Sequence, residues 1–238
     1  CLYELGTGWY PIIPIYFHLV GVKSIFTVDI TSHLSIKNFL KTIDKFKEFE
    51  ERDLLKDYFE REYDLNKLKG PDPANLEEAL TNAGIKQLIC DAGNTPFEDD
   101  QFDLVISNNT FEHIYPEKLK QILRDMQRVT KPHGILSHFI DLTDHFAHFD
   151  SSISDFHFLK FSQKKWQWID NSIQPMNRLR MRDYRKLFAN AGLEVIEEKL
   201  PEPETTESVT EIPKSEPVVA EPAKSVRPIV EEPEEVKF

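Results

Sequence analysis

The 238-residue sequence is poor in cysteine, methionine and tryptophan, with two, three and three residues. Cys1 and Cys90 stand far apart in different contexts, so no disulfide framework is built from them. That usage fits a reducing compartment and gives the expectation of a cytoplasmic protein. No apolar run approaches the roughly 20 residues needed to cross a bilayer. The longest, residues 11–22, is broken by Pro11, Pro14 and His18 and reads as a short buried helix with no membrane insertion. Basic residues are also scarce, 29 against 41 acidic, for a net charge of −12. A non-specific nucleic-acid binder needs a basic face, so nucleic acid is not the expected partner.

The acidic excess is uneven. Residues 201–238 carry ten glutamates against four basic residues, half of the net charge, with one aromatic, Phe238. Such a segment buries too little surface to offset its ordering entropy, and it reads as a disordered tail. The expected organisation is one domain over residues 1–200 and the tail over 201–238. The chain starts at Cys1, almost inside a strand, so an N-terminal truncation is expected.

Within 1–200, strands and helices alternate. Residues 2–5, 24–29 (SIFTVD), 86–91, 102–107, 134–141 and 193–198 read as strands. Residues 12–20 read as a short helix stopped by Gly21. Ile36, Phe39, Leu40, Ile43 and Phe46 recur at helical spacing, with Leu54, Leu55, Tyr58 and Phe59 continuing the pattern. Leu76, Ala79, Leu80 and Ala83 form another helix. Pro116 opens a helix whose stripe is Leu119, Ile122, Leu123, Met126 and Val129. Residues 183–191 form a helix stopped by Gly192. This alternation predicts an α/β fold, a Rossmann-like, mostly parallel sheet flanked by helices. The stretch from about 34 to 84 exceeds a single crossover and reads as a helical insertion.

Ligands on such sheets bind beyond the carboxyl ends of the strands. The first strand ends in Glu4-Leu5-Gly6-Thr7-Gly8, where glycines permit a tight turn and close backbone approach. The second ends in Asp29, where an acid can hydrogen-bond ribose hydroxyls. The third ends in Asp91-Ala92, and the fourth in Ser107-Asn108-Asn109 followed by Phe111-Glu112-His113.

Together these residues resemble the class I S-adenosylmethionine-dependent methyltransferase family. Glu4, Gly6 and Gly8 match its acid-x-Gly-x-Gly motif. The segments 102–107, 111–114, 131–136 and 191–195 resemble its fourth strand, the segment after it, the approach to the fifth strand and a late helix-to-strand turn. The resemblance implies S-adenosylmethionine as cofactor, held by Glu4, Gly6, Gly8, Asp29, Asp91, Ala92 and Asn108. It departs at Tyr10, where a third glycine is common, and after 198, where a further strand is usual. A nicotinamide-binding Rossmann oxidoreductase shares Gly6, Gly8 and Asp29 but leaves the later segments unexplained.

Five of the eight histidines fall between His133 and His157. Three readings compete for them. A histidine, His145 before His113, can act as general base toward an acceptor hydroxyl, with Asp144 or Asp141 orienting the ring. Alternatively Asp141, Asp144, His145, His148 and Asp150 supply metal ligands, but the spacing matches no tight signature and no metal site is assigned. In the third reading the side chains cap turns, which suits His138 inside a strand. Arg178 and Arg180 are candidates to clamp an anionic acceptor. The stretch also looks like bacterial methyltransferases linked with glycan or small-molecule biosynthesis. The function expected is methyl transfer to a small-molecule or glycan-precursor hydroxyl; a cofactor-binding scaffold without turnover is the alternative.

Overall fold

The computed structural model describes residues 1–59, 61–68, 73–150, 152–170 and 175–200. Residues 1–196 form one compact unit. The tail expected over 201–238 lies outside the described residues. No helix among the described residues is long and apolar enough to cross a membrane.

Five strands form one parallel sheet: β1 (Leu2–Leu5), β2 (Ile25–Asp29), β3 (Ile85–Ile89), β4 (Phe102–Asn108) and β5 (Thr130–Phe139). Their order is β3-β2-β1-β4-β5. The chain winds from β1 to one edge and then returns to the other side of β1. The crossovers therefore diverge between β1 and β4, and a crevice opens at the carboxyl ends of those strands. The α/β class and the parallel sheet expected from the sequence are both present.

Strand β1 is buried along its whole length because helices cover both faces. Its side chains alternate between two cores, as the two-residue strand period requires. Tyr3 and Leu5 join Val28, Phe102, Val105 and the helices α4 (Pro116–Val129) and α6 (Met181–Asn190). Leu2 joins Ile25, Ile85, Ile106 and the helices α1 (Ile12–Leu19), α2 (Ile36–Glu51) and α3 (Leu76–Asn82). Helix α4 shows the logic most simply. Pro116 occupies its first turn, where no amide donor is needed, and Leu119, Ile122, Leu123, Met126 and Val129 form one buried stripe. Helix α2 is capped by Ser35, whose hydroxyl accepts the Asn38 amide, and α3 by Asn75, which accepts from Glu78. Among its described residues the 34–84 stretch contains α2, α3 and two short 3₁₀ turns.

Asp125 carries a buried polar junction below the sheet. Its carboxylate accepts the Thr95 amide at 3.2 Å and two bonds from Arg128 at 3.1 and 2.7 Å, besides the Thr95 hydroxyl. Arg128 also reaches the Phe97 and Thr95 carbonyls. Loss of Asp125 leaves the Thr95 amide and hydroxyl without their acceptor, while Arg128 keeps Asp99 at 2.8 Å and the two carbonyls. Asp125→Ala should therefore cost about 1–3 kcal/mol in chemical denaturation, whereas truncating the exposed ion-pair partner Glu117 should change little.

One expected strand is absent. Residues 193–198 form no strand. Gly192 turns the chain out of α6 at φ 77°, and the Leu193 amide bonds back to Phe188 O at 3.0 Å. Beyond it Val195 and Ile196 are exposed. Such a segment becomes a strand only where a neighbour accepts its ladder, and among the described residues nothing pairs there.

Candidate active site

The turn after β1 lies at the crevice. Gly6 has φ 84° and its amide donates to Val28 O at 2.8 Å. A Cβ at Gly6 would stand 2.3 Å from the Thr110 hydroxyl oxygen, so glycine is required on both conformational and steric grounds. Gly8 has φ 63°, and a Cβ there would meet nothing within 4 Å. The turn is thus tight against β4 at Gly6 and open at Gly8. Thr110 reinforces it with its hydroxyl proton, shared between Asn108 O at 3.0 Å and Leu5 O at 3.3 Å.

Asp29, at the end of β2, ties the turn to the next strand. One carboxylate oxygen accepts the Gly8 amide at 3.1 Å and the other accepts from Thr31 at 3.4 Å. Glu4 is 3% exposed, with one carboxyl oxygen making no hydrogen bond, and the buried Thr7 hydroxyl is likewise without one. Burial, reinforced by the nearby Asp29 charge, pushes the Glu4 carboxyl up to about 8. Asp91 follows β3 and is held by Lys118 and by the Gly93 amide at 2.8 Å, with Ala92 buried beside it. Asn108 is exposed at the end of β4.

These residues fit S-adenosylmethionine. The carboxyl group of Glu4 and the hydroxyl of Thr7 are orphaned at the turn, where a cationic amino-acid moiety would satisfy them. Gly8 leaves open space for backbone approach, and Asp29 offers carboxylate lone pairs to ribose hydroxyls. The raised Glu4 pKa has a consequence for stability. The folded state holds the proton between about pH 4.5 and 8, where the unfolded chain has lost it. The contribution is therefore present below pH 4.5 and is lost as pH rises through about 8. The melting temperature of the unliganded protein should fall over this interval, and Glu4→Gln should flatten the fall. Superimposable pH profiles for the two proteins would mean that Glu4 is ionised in the fold.

A second group of side chains lies beyond the ends of β4 and β5, which the sheet order makes neighbours. Glu112 and His113 sit on the 3₁₀ turn after β4, and His145 and His148 on the 3₁₀ turn after β5. Glu112, His113 and His145 each direct one ligand-type atom into a group lying within 4.8 Å of one another. The His113 and His145 rings are 5.0 Å apart, and the His145 and His148 rings stack at 5.2 Å. Asp141 faces the last two rings, 3.3 Å from His145 Nε2 and 3.8 Å from His148 Nε2. Burial, repulsion from His113 and the neighbouring His148 lower the His145 pKa, against the pull of Asp141. Burial lifts the Glu112 carboxyl to about 7. The nearby amides of Glu112 and Asp141 oppose that rise without forming hydrogen bonds of proper geometry.

The other sequence candidates are placed differently. Asp144 is 1% exposed and caps the 3₁₀ turn, accepting the Phe146 amide at 3.0 Å. Asp141, rather than Asp144, stands beside the His145 ring. Asp150 caps its own turn through the Ser152 amide. His138 is a core residue, bonded to Ser107 Oγ at 2.9 Å and stacked on Phe111, and burial drives its pKa down to about 3. Arg178 is spent on the Phe158 and Phe161 carbonyls and lies over Trp166. Arg180 bonds Leu142 O and lies over Phe156, holding the loop that carries Asp141 and His145. Neither guanidinium clamps an open space.

Two residues had not been singled out from the sequence. Glu112 was visible only as part of a family-like segment, although an acid directly before a histidine after a strand end was a usable signal. Asn177 positions that segment, its side-chain amide donating to Phe111 O and Ile114 O at 2.7 Å each. The Asn177 backbone amide adds a bond to Glu112 O at 2.9 Å. A cavity of about 420 Å³ lies alongside, lined by Tyr115, Trp166, Asp170, Met176, Asn177 and Leu179 among others.

Residues 58–138 match a family model described as a methyltransferase domain. No curated protein sequence matches the chain. Among solved structures, the methyltransferase partner of the Haloferax volcanii Trm112 methyltransferase activator is 18% identical, with 82% of this chain and 62% of that one covered at TM-score 0.45. A protein assigned as a methyltransferase from Bacillus halodurans is 15% identical, with 80% and 61% covered at TM-score 0.44. Geranyl diphosphate C-methyltransferase from Streptomyces coelicolor is 12% identical, with 80% and 51% covered at TM-score 0.42. The chain spans less than two thirds of the length of these structures. The likeness to the methyltransferase-domain family is confined to residues 58–138, and the parallel sheet has the order β3-β2-β1-β4-β5.

Proposed function

We propose that the chain transfers a methyl group from S-adenosylmethionine to a hydroxyl of a small molecule or glycan precursor. The observation that carries this reading is the position of the histidine–carboxylate group. It lies beyond β4 and β5, on the same end of the sheet as the Gly6–Gly8 turn and Asp29. When bound, S-adenosylmethionine supplies an electrophilic methyl group on a sulfonium. Asp29 accepts from the ribose hydroxyls, Gly8 permits close backbone approach, and the unpaired oxygen of Glu4 accepts from the cationic amino-acid end, giving up its proton as that cation binds.

An alcohol is a weak nucleophile unless its proton leaves as attack proceeds. His145 meets that need as a ring with a lowered pKa, so the base form predominates at neutral pH. Asp141 stabilises the imidazolium that forms when the proton arrives. His113 is the neighbouring ring. Its Nδ1 is committed to Pro175 O at 2.8 Å, which fixes its orientation. Calorimetry with S-adenosylmethionine, followed by a methyl-donor consumption assay against sugars and phenols, tests the reading. Tight binding of a nicotinamide dinucleotide with none of the sulfonium compound would overturn it. Binding without turnover on any acceptor would favour the scaffold alternative.

A further inference from the structure

We propose that Glu112, His113 and His145 form a binding site for one divalent first-row transition cation. The inference deepens the methyl-transfer reading, because a cation there would hold and ionise the acceptor oxygen. The first observation is convergence. The three side chains come from two separate loops, yet their ligand-type atoms lie within 4.8 Å of one another. Ligand atoms on one cation at bond lengths of about 2.0–2.2 Å stand roughly 3–3.5 Å apart, so binding draws the three side chains in by up to roughly 1.5 Å.

The second observation is independent of the first. Glu112 is 3% exposed, and neither of its carboxyl oxygens makes a hydrogen bond within the described residues. Buried carboxyl groups are ordinarily paired or hydrogen-bonded, or they coordinate a metal. Among the described residues no lysine or arginine pairs with it, and the nearby charged group, Asp141, is itself acidic.

The tautomer of His113 also suits a ligand. A carbonyl only accepts, so the 2.8 Å contact with Pro175 O puts the proton on Nδ1 and leaves the Nε2 lone pair for a metal. Second-side bonding of this kind is what orients ligating histidines. Asp141, 3.3 Å from His145 Nε2, is placed to orient the second ring or to add a carboxylate. Two imidazoles and one carboxylate favour Zn²⁺, Mn²⁺, Fe²⁺ or Co²⁺ over the all-oxygen preference of Mg²⁺ and Ca²⁺. Three protein ligands leave coordination positions for an acceptor hydroxyl, whose pKa the cation lowers. With the cation bound, the His145 lone pair is taken up, and the cation replaces the imidazole as the route to deprotonation.

Co²⁺ is the probe, titrated into the full chain without S-adenosylmethionine and followed by visible d–d absorption. The wild type should bind one Co²⁺. Glu112→Gln, His113→Ala and His145→Ala should each weaken binding by more than about 100-fold. His133→Ala, on the exposed part of β5, should leave it unchanged. Melting curves show that each variant is folded. Should Glu112→Gln fail to fold, the two histidine variants on partly exposed turns carry the test. Absence of d–d bands at millimolar Co²⁺, or equal affinity in folded ligand variants, would overturn the site. Calorimetry with S-adenosylmethionine is read separately. Loss there with Co²⁺ binding intact sinks only the methyl-transfer reading, and the converse sinks only the cation site.

Discussion

Asp29→Ala should weaken S-adenosylmethionine about 100-fold, and Gly8→Arg should abolish its binding, while both proteins remain folded. The first figure follows from hydrogen bonds to a charged group, each worth about 1.5–3 kcal/mol. Asp29 also accepts the Gly8 amide, so its loss loosens the turn as well as removing a ribose partner. The second follows from space. The region beside Gly8 is open, and an arginine there would fill the volume that backbone approach requires. The left-handed φ adds strain of about 1–2 kcal/mol, too little to unfold a domain whose two cores lie elsewhere. Calorimetry on the folded variants decides the matter. Wild-type affinity in both would remove the β1 turn from the cofactor site.

His145→Ala should lower turnover by about 10²–10⁴-fold with cofactor affinity nearly unchanged. A group that acts only as the proton leaves affects the transition state and not the binding of the methyl donor. His145 sits on the loop after β5, while Gly8 and Asp29 follow β1 and β2, so the two effects should separate. His113→Ala should also reduce turnover, since its ring lies 5.0 Å from that of His145. His133→Ala serves as the control that should not. A wild-type rate in His145→Ala would eliminate it both as base and as essential ligand.

The pairing of Asp141 with His145 bears on how such variants are read. Both lie on a loop held by Arg180 at Leu142 O. Arg180→Ala should therefore reduce turnover through misplacement of His145, although the guanidinium is committed to the loop rather than to an acceptor. Asp144, close in sequence, is engaged by its own turn.

The sequence by itself determined the layers of this protein and one half of its site. Period-two and period-3.6 patterns located β1 to β5 and the stripe of α4, because local backbone geometry and solvent exclusion act over a few residues. The same locality exposed Gly6, Gly8 and Asp29, since a residue at a strand end is at the crevice whatever the strand order. Glu112 and His145 are different. They stand 33 positions apart, and only the adjacency of β4 and β5 brings their loops together. Both Asp144 and Asp141 cap a turn amide, but whether the second oxygen of such an acid also faces a ring, as that of Asp141 does, depends on loop closure that no local pattern encodes. Residues 193–198 make the same point from the other side. Leu193, Val195 and Ile196 give them the composition of a strand, but a strand requires a hydrogen-bonding neighbour, and that is a property of the sheet and not of the segment.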